Sequence, residues 1–473
     1  MEDRERIKET MGVKEVERFE SYLGLPTLVG CAKYQTFSFL KDRVWKQIQG
    51  WKGQLLSRAG KEILIKAVAQ AIPTYTMGVF QLPVKLCDEL NALCARFWWG
   101  QMSNERKIHW KSWNVLTQAK KDGGMGFRDL RNFNLPMLAK QGWRLIHEKE
   151  SLVFRCFKAK YFPRGNFLEA TDVPNSSFVW KSLLAAQHIL KKSCCWRVGD
   201  GSSIRVLHDK WIPSHPTNQI LHPPLGAEED WRVCELIDWE THGWDRGLIG
   251  RNFHGKDADA IYHIPLSQRS IPDSLVWLPN KNGVYSVKSG YYIARGLSRE
   301  RDGMEEISGV RNRGLIWPRL WKLKLPSKIK VFGWRACQEI LPTKGNLARK
   351  RIIENEMCEV CKQETETVMH ALWDCGVARD VWVGCQGRIQ KRVGGQADFI
   401  NLFEEMMDKL EVEELELFLV QCWVIWGQRN SVIHEGMLQE PSRLVKRAID
   451  VLQEYRGTRE LLAIHSSAGL VQK

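Results

Sequence analysis

The chain has 473 residues, 44% of them hydrophobic and 26% charged, so it can bury a sizeable core and exceeds one ordinary domain. Lysine and arginine total 70 against 55 acidic residues, and the formal net charge of +15 suits a polyanionic partner better than an acidic protein or a small cation. No apolar run approaches the roughly 18 residues of a membrane-spanning helix, and the charged start MEDRERIKET lacks the apolar core of a secretory signal. We therefore expect an intracellular protein, nuclear or cytoplasmic, that is neither secreted nor transmembrane and has no membrane partner or small-molecule substrate.

The first 150 residues are predicted to be helical. Apolar residues recur at helical spacing through 60–75 and 86–99, and a further helical stretch is expected from Pro136 to His147. Between them the glycines of KKDGGMGF predict a tight turn. They lack the spacing of a dinucleotide site and no strand pattern precedes them, so a phosphate cradle is not indicated.

Residues 151–295 are expected to form a mixed α/β region with short hairpins. Cys195 to Trp211 would turn at Asp200-Gly201, and Leu275 to Val287 would turn at Asn282-Gly283. We expect a linker at 296–316, a zinc-binding module at 317–390 and a C-terminal helical region at 391–473. The predicted fold class is therefore α+β and mostly helical.

The strongest chemical motif is CEVCKQETETVMHALWDC, which places Cys358, Cys361, His370 and Cys375 within 18 residues. A Cys-x2-Cys turn directs two thiolates at one tetrahedral ion, and the following His and Cys can complete the set. Four protein ligands leave no open position for water, so one structural Zn²⁺ is expected rather than a catalytic ion. The alternative is a group of ordinary reduced cysteines beside a core histidine, since 13 scattered cysteines indicate a reducing compartment.

Residues 319–352, just before this motif, contain ten Lys or Arg and a single acid, Glu339. Cations interleaved with Trp321, Phe332 and Trp334 are typical of sequence-tolerant binding to RNA or DNA. The alternative is a solvated basic face with the tryptophans in the core, which we expect for Trp321 and Trp334 themselves. The predicted nucleic-acid-binding residues are Lys322, Lys324, Lys328, Lys330, Arg335, Lys344, Arg349, Lys350 and Arg351.

These residues resemble a known family. The segment WKLKLPSKIKVFGWRACQEILPTKGNLARKRI, followed by CEVCKQETETVMHALWDCGVARDVW, is similar to the zinc-binding domain after the polymerase of plant non-LTR (LINE-type) retrotransposon reverse transcriptases. YLGLP at 22–26, FWWG at 97–100 and GGMGFRDLRNFNLPMLAKQGWRL from Gly123 resemble the thumb and connection that follow the catalytic palm. The resemblance implies a thumb-like region at 1–150 and a zinc module that helps hold template RNA or target DNA.

The catalytic residues of that family are missing. Its polymerases hold two metal ions with a pair of adjacent aspartates, and this sequence contains no Asp-Asp pair. YLGLP follows that palm site in the family yet begins at residue 22, so we expect a fragment without fingers and palm, which ends about where a ribonuclease H domain would begin. Asp200-Gly201-Ser202 imitates the opening of such a domain, but no matching carboxylates follow. We therefore predict a non-catalytic, nucleic-acid-binding fragment. The alternatives are a protein-interaction module with incidental charge, and residual ribonuclease H or polymerase activity.

Overall fold

The computed structural model describes residues 10, 21–51, 56–101, 105, 107–224, 228–269, 271–301, 314–385, 387–389 and 396–468. The described part is mostly helical with three two-stranded antiparallel sheets, which confirms the predicted fold class. The α-helices are Lys33–Phe37, Phe39–Gly50, Arg58–Leu64, Thr74–Met77, Val84–Trp99, Trp113–Leu116, Leu130–His147, Leu152–Tyr161, Phe178–Ser193, Arg246–Asn252, Gly255–Tyr262, Val287–Arg301, Ile316–Lys322, Ser327–Cys337, Lys344–Arg349, Gly376–Val383, Phe399–Lys409, Val412–Ile433 and Pro441–Ala468. The paired strands are Ser21–Tyr22 with Leu25–Pro26, Cys194–Arg197 with Ser274–Trp277, and Ile237–Asp238 with Gly243–Trp244.

The chain forms two compact units, and each collects separate stretches of sequence. The first unit contains residues 1–44, 71–90 and 129–306, and the second contains 45–70, 91–128 and 307–473. The five predicted segments therefore do not coincide with these units, because residues 1–150 contribute to both. The predicted boundary between 390 and 391 falls inside the second unit.

The core of the first unit is a group of packed helices. Leu130–His147 lies against both Phe178–Ser193 and Val287–Arg301. The rings of Tyr161 and Trp180 stack in the same core, with 4.6 Å between their centres. The helix Leu130–His147 begins six residues before the predicted start because the Asp129 side chain accepts a hydrogen bond from the Arg131 N–H and caps it.

The two predicted hairpins of the middle region are wrong in their pairing. Cys194–Arg197 pairs with Ser274–Trp277, so each predicted hairpin contributes one strand to a single sheet. The turn at Asn282-Gly283 is present, with Gly283 at a φ of 70°. The alternation of apolar residues predicted both strands correctly. It does not show which distant strand pairs with each of them.

The predicted linker is also wrong at its start, because the helix Val287–Arg301 continues through residues 296–301. Residues 302–313 of that linker lie outside the described residues. In the part of the chain that is described, no helix is long and apolar enough to cross a membrane.

The second unit is organised around the long helix Val412–Ile433. It packs against Ser327–Cys337, Phe399–Lys409 and Pro441–Ala468. Most of its residues are buried because apolar side chains occur on nearly every face, as expected of a central helix. Phe418 on this helix contacts the rings of Trp373, inside the metal-binding motif, and Trp382, just after it, at 6.1 and 5.3 Å between ring centres. The predicted zinc module and the C-terminal helices therefore share one core.

Candidate metal centre and basic surface

The four predicted metal ligands come together through a small closed loop and a short helical turn. An isolated antiparallel bridge joins Met357 to Thr365, and the Cys358 N–H donates to the Glu364 carbonyl at 2.8 Å. Lys362 adopts a left-handed conformation, with a φ of 56°, that closes the Cys-x2-Cys turn. His370 opens a π-helical turn that ends at Asp374, and Cys375 directly precedes the helix Gly376–Val383.

The four ligand atoms lie within 4.8 Å of one another. The Cys358 and Cys375 sulfurs are 4.0 Å apart, and the Cys361 sulfur is 3.3 Å from His370 Nε2. Tetrahedral zinc, with bonds of about 2.3 Å to sulfur and about 2.0 Å to nitrogen, separates three sulfurs and one nitrogen by about 3.5–3.8 Å. The donor set and its spacing therefore fit one zinc ion held by Cys358, Cys361, His370 and Cys375.

The sulfurs of the cluster favour positive charge on His370. Hydrogen bonds from the Cys375 thiol and from His370 lower the pKa of Cys358, although burial opposes this. Burial also lowers the pKa of His370, but the Cys358 and Cys361 sulfurs outweigh it and bring this pKa to about 9. An apolar cavity lined by residues such as Val381 and Ile425 lies beside Cys358 and Cys375.

Sequence reasoning missed the carboxylates that support the cluster. Glu364 Oε2 lies 3.1 Å from His370 Nδ1, which leaves Nε2 facing the three sulfurs. Such a carboxylate–histidine pair fixes the orientation and tautomer of a metal-ligating imidazole. The only signal in the sequence was the position of Glu364 between the second and third ligands, which is also where an exposed acid is common.

Glu366 attaches the metal-binding loop to two other elements. Its carboxylate is fully buried and accepts from Arg429 Nε at 2.8 Å and from Arg429 Nη2, a bidentate ion pair with the helix Val412–Ile433. It also accepts from the backbone N–H of Lys344 at 2.6 Å. Arg429 in turn lies over the Trp426 ring, 4.7 Å from its centre. The metal-binding loop is therefore connected to the core of the second unit by a buried charge pair.

Six of the nine predicted nucleic-acid-binding residues are exposed. Lys322 ends a helix, Lys324 follows it, and Lys328 lies on the next helix with its ammonium 4.9 Å above the Trp423 ring. A second exposed group lies at the end of the helix Lys344–Arg349. The exposed residues are Lys322, Lys324, Lys328, Arg349, Lys350 and Arg351.

The other three predicted contacts are partly buried. Lys330 donates to the Trp321 carbonyl at 3.1 Å, and Lys344 forms an ion pair of 2.7 Å with Glu359. Arg335 is largely enclosed, and its Nη2 donates to the Ile340 carbonyl at 3.4 Å. Each of the three already has a side-chain nitrogen within reach of an oxygen atom of the protein.

The aromatic residues of the basic segment pack largely as expected. Trp334 is fully buried and donates from Nε1 to the Gly123 carbonyl at 2.8 Å, so it belongs to the core. Phe332 is buried as well. Trp321 is half-buried, with the Lys120 ammonium 4.0 Å above its ring.

The Asp200-Gly201-Ser202 segment, singled out for its likeness to a ribonuclease H strand, forms a loop. The Asp200 carboxylate accepts from the Ser202 N–H and hydroxyl, which lowers its pKa. Asp273 accepts from the N–H groups of Gly199, Gly201 and Ser203. Both carboxylates therefore stabilise the turn.

These features define a protein with a Cys3His zinc-type centre in a helical unit that presents exposed lysines. Residues 285–382 match the family described as zinc-binding in reverse transcriptase. An Arabidopsis thaliana protein named "Putative ribonuclease H protein" is 26% identical over 451 residues, covering 92% of this chain and 70% of that protein. Another Arabidopsis thaliana protein, named "Uncharacterized mitochondrial protein", is 38% identical over 143 residues, covering 30% of this chain and 93% of the relative. The chain belongs to the family of retrotransposon-derived proteins that carry the zinc-binding domain of reverse transcriptases.

Proposed function

We propose that this chain is a non-catalytic portion of a non-LTR retrotransposon reverse transcriptase that holds RNA or DNA with low sequence specificity. The observation that carries the proposal is the Cys3His cluster, which lies in the same compact unit as six exposed cations from the segment 319–352. One Zn²⁺ bound to Cys358, Cys361, His370 and Cys375 would act as a structural cross-link. The chain's own residues would do the binding.

The composition of the basic segment supports a phosphate-binding role. The segment contains ten Lys or Arg residues and one acidic residue, Glu339. Burial raises the pKa of Glu339 to about 7. Lys322, Lys324 and Lys328 are exposed within seven residues, and no ion pair with a carboxylate is present for them among the described residues. Cations of this kind release counterions from a nucleic acid when they approach its phosphates.

The roles of Asp200 and Asp273 support the absence of ribonuclease activity in this proposal. A two-metal nuclease needs carboxylate oxygens that are free to bind cations. Here Asp273 accepts three backbone N–H groups and Asp200 accepts two groups of Ser202. The ribonuclease H name belongs to the Arabidopsis thaliana relative. We expect Asp200→Ala to leave any rate of RNA cleavage by the purified chain unchanged.

The binding experiment compares the purified chain with two triple variants of equal charge. Lys322→Gln/Lys324→Gln/Lys328→Gln removes the first exposed group. The matched control replaces three exposed lysines of one helix in the other unit: Lys181, Lys191 and Lys192.

Affinity for a fluorescent single-stranded RNA and its DNA equivalent would be measured by anisotropy over a series of salt concentrations. Each lost phosphate contact lowers the slope of log affinity against log salt by about 0.7 for single strands, so the first variant should lose about 2. The control should keep the slope of the wild type. Equal slopes in both variants would contradict the proposed interface and favour a protein-interaction module with incidental charge.

A further inference from the structure

One tryptophan beside the exposed lysines is only partly covered by the protein. Trp423 lies on the helix Val412–Ile433, most of whose residues are buried, yet Trp423 itself is half-buried. The exposed Lys328, on the helix Ser327–Cys337, places its ammonium 4.9 Å from the centre of the Trp423 ring. The two helices pack against each other within the second unit. An aromatic ring therefore borders the surface of exposed lysines.

A second contact fixes Trp423 alongside that surface. Glu416 lies seven residues before Trp423, so the two side chains share one face of the helix about 10 Å apart. The Glu416 carboxylate accepts from the backbone N–H of Lys324 and from Arg456 Nη2. The same face of this helix therefore meets Lys324 at one point and Lys328 two turns later.

The indole N–H distinguishes Trp423 from the tryptophans of the core. Trp334 and Trp382 are fully buried, and their N–H groups donate to the carbonyls of Gly123 and Leu372. Buried tryptophans usually find such a partner. For Trp423 no acceptor is present in the described part of the chain. Its ring and its N–H can therefore both serve a ligand.

The half-buried tryptophan of the basic segment, Trp321, is covered by a cation that is held in place. The Lys120 ammonium lies 4.0 Å from the Trp321 ring centre and is paired with Glu62 at 2.7 Å. No carboxylate among the described residues holds Lys328, so its ammonium can leave the Trp423 ring. A cation–π contact at an exposed site is weaker than the stacking of a base on an aromatic ring. A base can therefore replace this ammonium, which then becomes available for an adjacent phosphate.

We propose that Trp423 stacks against an unpaired base of a single-stranded nucleic acid while Lys328 contacts a neighbouring phosphate. The inference rests on the proposed function, because the exposed lysines supply the phosphate contacts around the stacked base. It specifies a single strand as the ligand. In a duplex the bases stack on one another, so no base face is available to the ring.

The test compares two fluorescent DNA strands of equal length: an oligothymidylate, and an abasic strand that keeps the sugar–phosphate backbone without bases. Affinity is measured by anisotropy for the wild-type chain, Trp423→Leu, Trp423→Phe and the control Trp45→Leu. Leucine keeps an apolar side chain but removes the ring, and phenylalanine keeps a smaller ring. Trp45 is an exposed tryptophan of the same unit.

Wild type and the Trp45 control should bind the oligothymidylate roughly tenfold more tightly than the abasic strand, as expected for one stacked base. Trp423→Leu should lose this preference and keep its affinity for the abasic strand, and Trp423→Phe should retain most of the preference. A structural role for Trp423 would weaken binding of both strands equally. A preference that survives Trp423→Leu would therefore overturn the proposal.

The wild-type chain tests the proposal even if a variant fails to fold. Equal affinity for the two strands, with binding that weakens as salt rises, would overturn the stacking role of Trp423 and leave the proposed nucleic-acid function intact. Absence of binding to either strand at low salt would contradict the nucleic-acid function and this inference with it.

Discussion

At the scale of single residues, Glu366 has the clearest structural consequence. Its carboxylate is fully buried and forms a bidentate ion pair with Arg429, while a third hydrogen bond comes from Lys344 N–H. Such a pair need not add net stability relative to an apolar pair, but removal of one member leaves an unpaired buried charge. Glu366 is therefore a structural residue whose loss affects both the metal-binding loop and the helix Val412–Ile433.

We expect Glu366→Ala to lower the free energy of unfolding by about 3–5 kcal/mol, measured by urea denaturation of the zinc-loaded protein. The matched control is Glu359→Gln in the same loop, because Glu359 is exposed and pairs with Lys344 at the surface. The control should unfold at nearly the wild-type urea concentration. A Glu366 variant as stable as this control would show that the buried pair does not hold the loop.

Glu339 makes stability depend on pH. Burial raises its pKa from 4.5 to about 7, so the folded state retains a proton that the unfolded state releases. The resulting penalty on folding is absent below about pH 4.5, grows between about pH 4.5 and 7, and is constant above. At roughly 1.4 kcal/mol per unit of pKa difference it is at most on the order of 3 kcal/mol, because solvent reaches part of the side chain.

Glu339→Gln removes this penalty and keeps an oxygen that can accept from the Phe399 N–H, a bond of 3.1 Å in the wild type. We expect the variant to gain stability relative to wild type at about pH 8 and to gain little at about pH 4.5. Urea unfolding at the two pH values measures the difference. An equal effect at both would mean that Glu339 ionises normally in the folded state.

At the scale of elements, the glycine turn at 123–126 was predicted from sequence, but its packing was not. Gly123 and Gly126 have φ values of 84° and 69°, which explains the choice of glycine at both positions. A Cβ on Gly124 would lie 2.2 Å from the backbone oxygen of Gln118, and the Gly123 carbonyl accepts from Trp334. The contact with Trp334 joins residues more than two hundred positions apart, which local patterns cannot reveal.

We therefore expect Gly124→Ala to destabilise the second unit. The free energy of unfolding should fall by about 1–3 kcal/mol, because the backbone must move to admit the methyl group. Gly427→Ala serves as the control, since its Cβ would meet no atom within 4 Å in the middle of a helix. The control should gain about 0.5–1 kcal/mol from the higher helix propensity of alanine. Thermal or urea unfolding would compare the two, and a Gly124 variant of wild-type stability would contradict the tight packing of the turn.

The metal-binding motif was the feature easiest to recognise in the sequence. Its four ligands lie within 18 residues, so their spacing alone constrains the geometry of the site. The supporting roles of Glu364 and Glu366 were not predicted, because their partners depend on side-chain orientation and on a helix sixty residues away. The hairpin pairing was predicted wrongly for a related reason, because strand 194–197 pairs with the distant strand 274–277.

At the scale of the whole molecule, helix content and overall charge could be predicted, whereas the division into units could not. The two units each collect three stretches of sequence, so no single boundary in the chain separates them. Composition marks a change at 150 and at 317, but the contacts of residues 45–70 and 91–128 belong with the C-terminal half. The basic segment and the Cys3His cluster thus share a compact unit with part of the N-terminal region.

We propose that zinc bound by the Cys3His cluster is a structural part of this unit. The most direct measurement is zinc per chain in protein purified from zinc-supplemented cells, for wild type, Cys358→Ser/Cys361→Ser and the control Cys31→Ser/Cys156→Ser, whose two cysteines are exposed and free. We predict one zinc per chain in wild type and control, loss of zinc in the first variant, and a lower unfolding midpoint for that variant. A wild-type chain without zinc, or a first variant that retains the metal and its stability, would contradict the proposed structural zinc site.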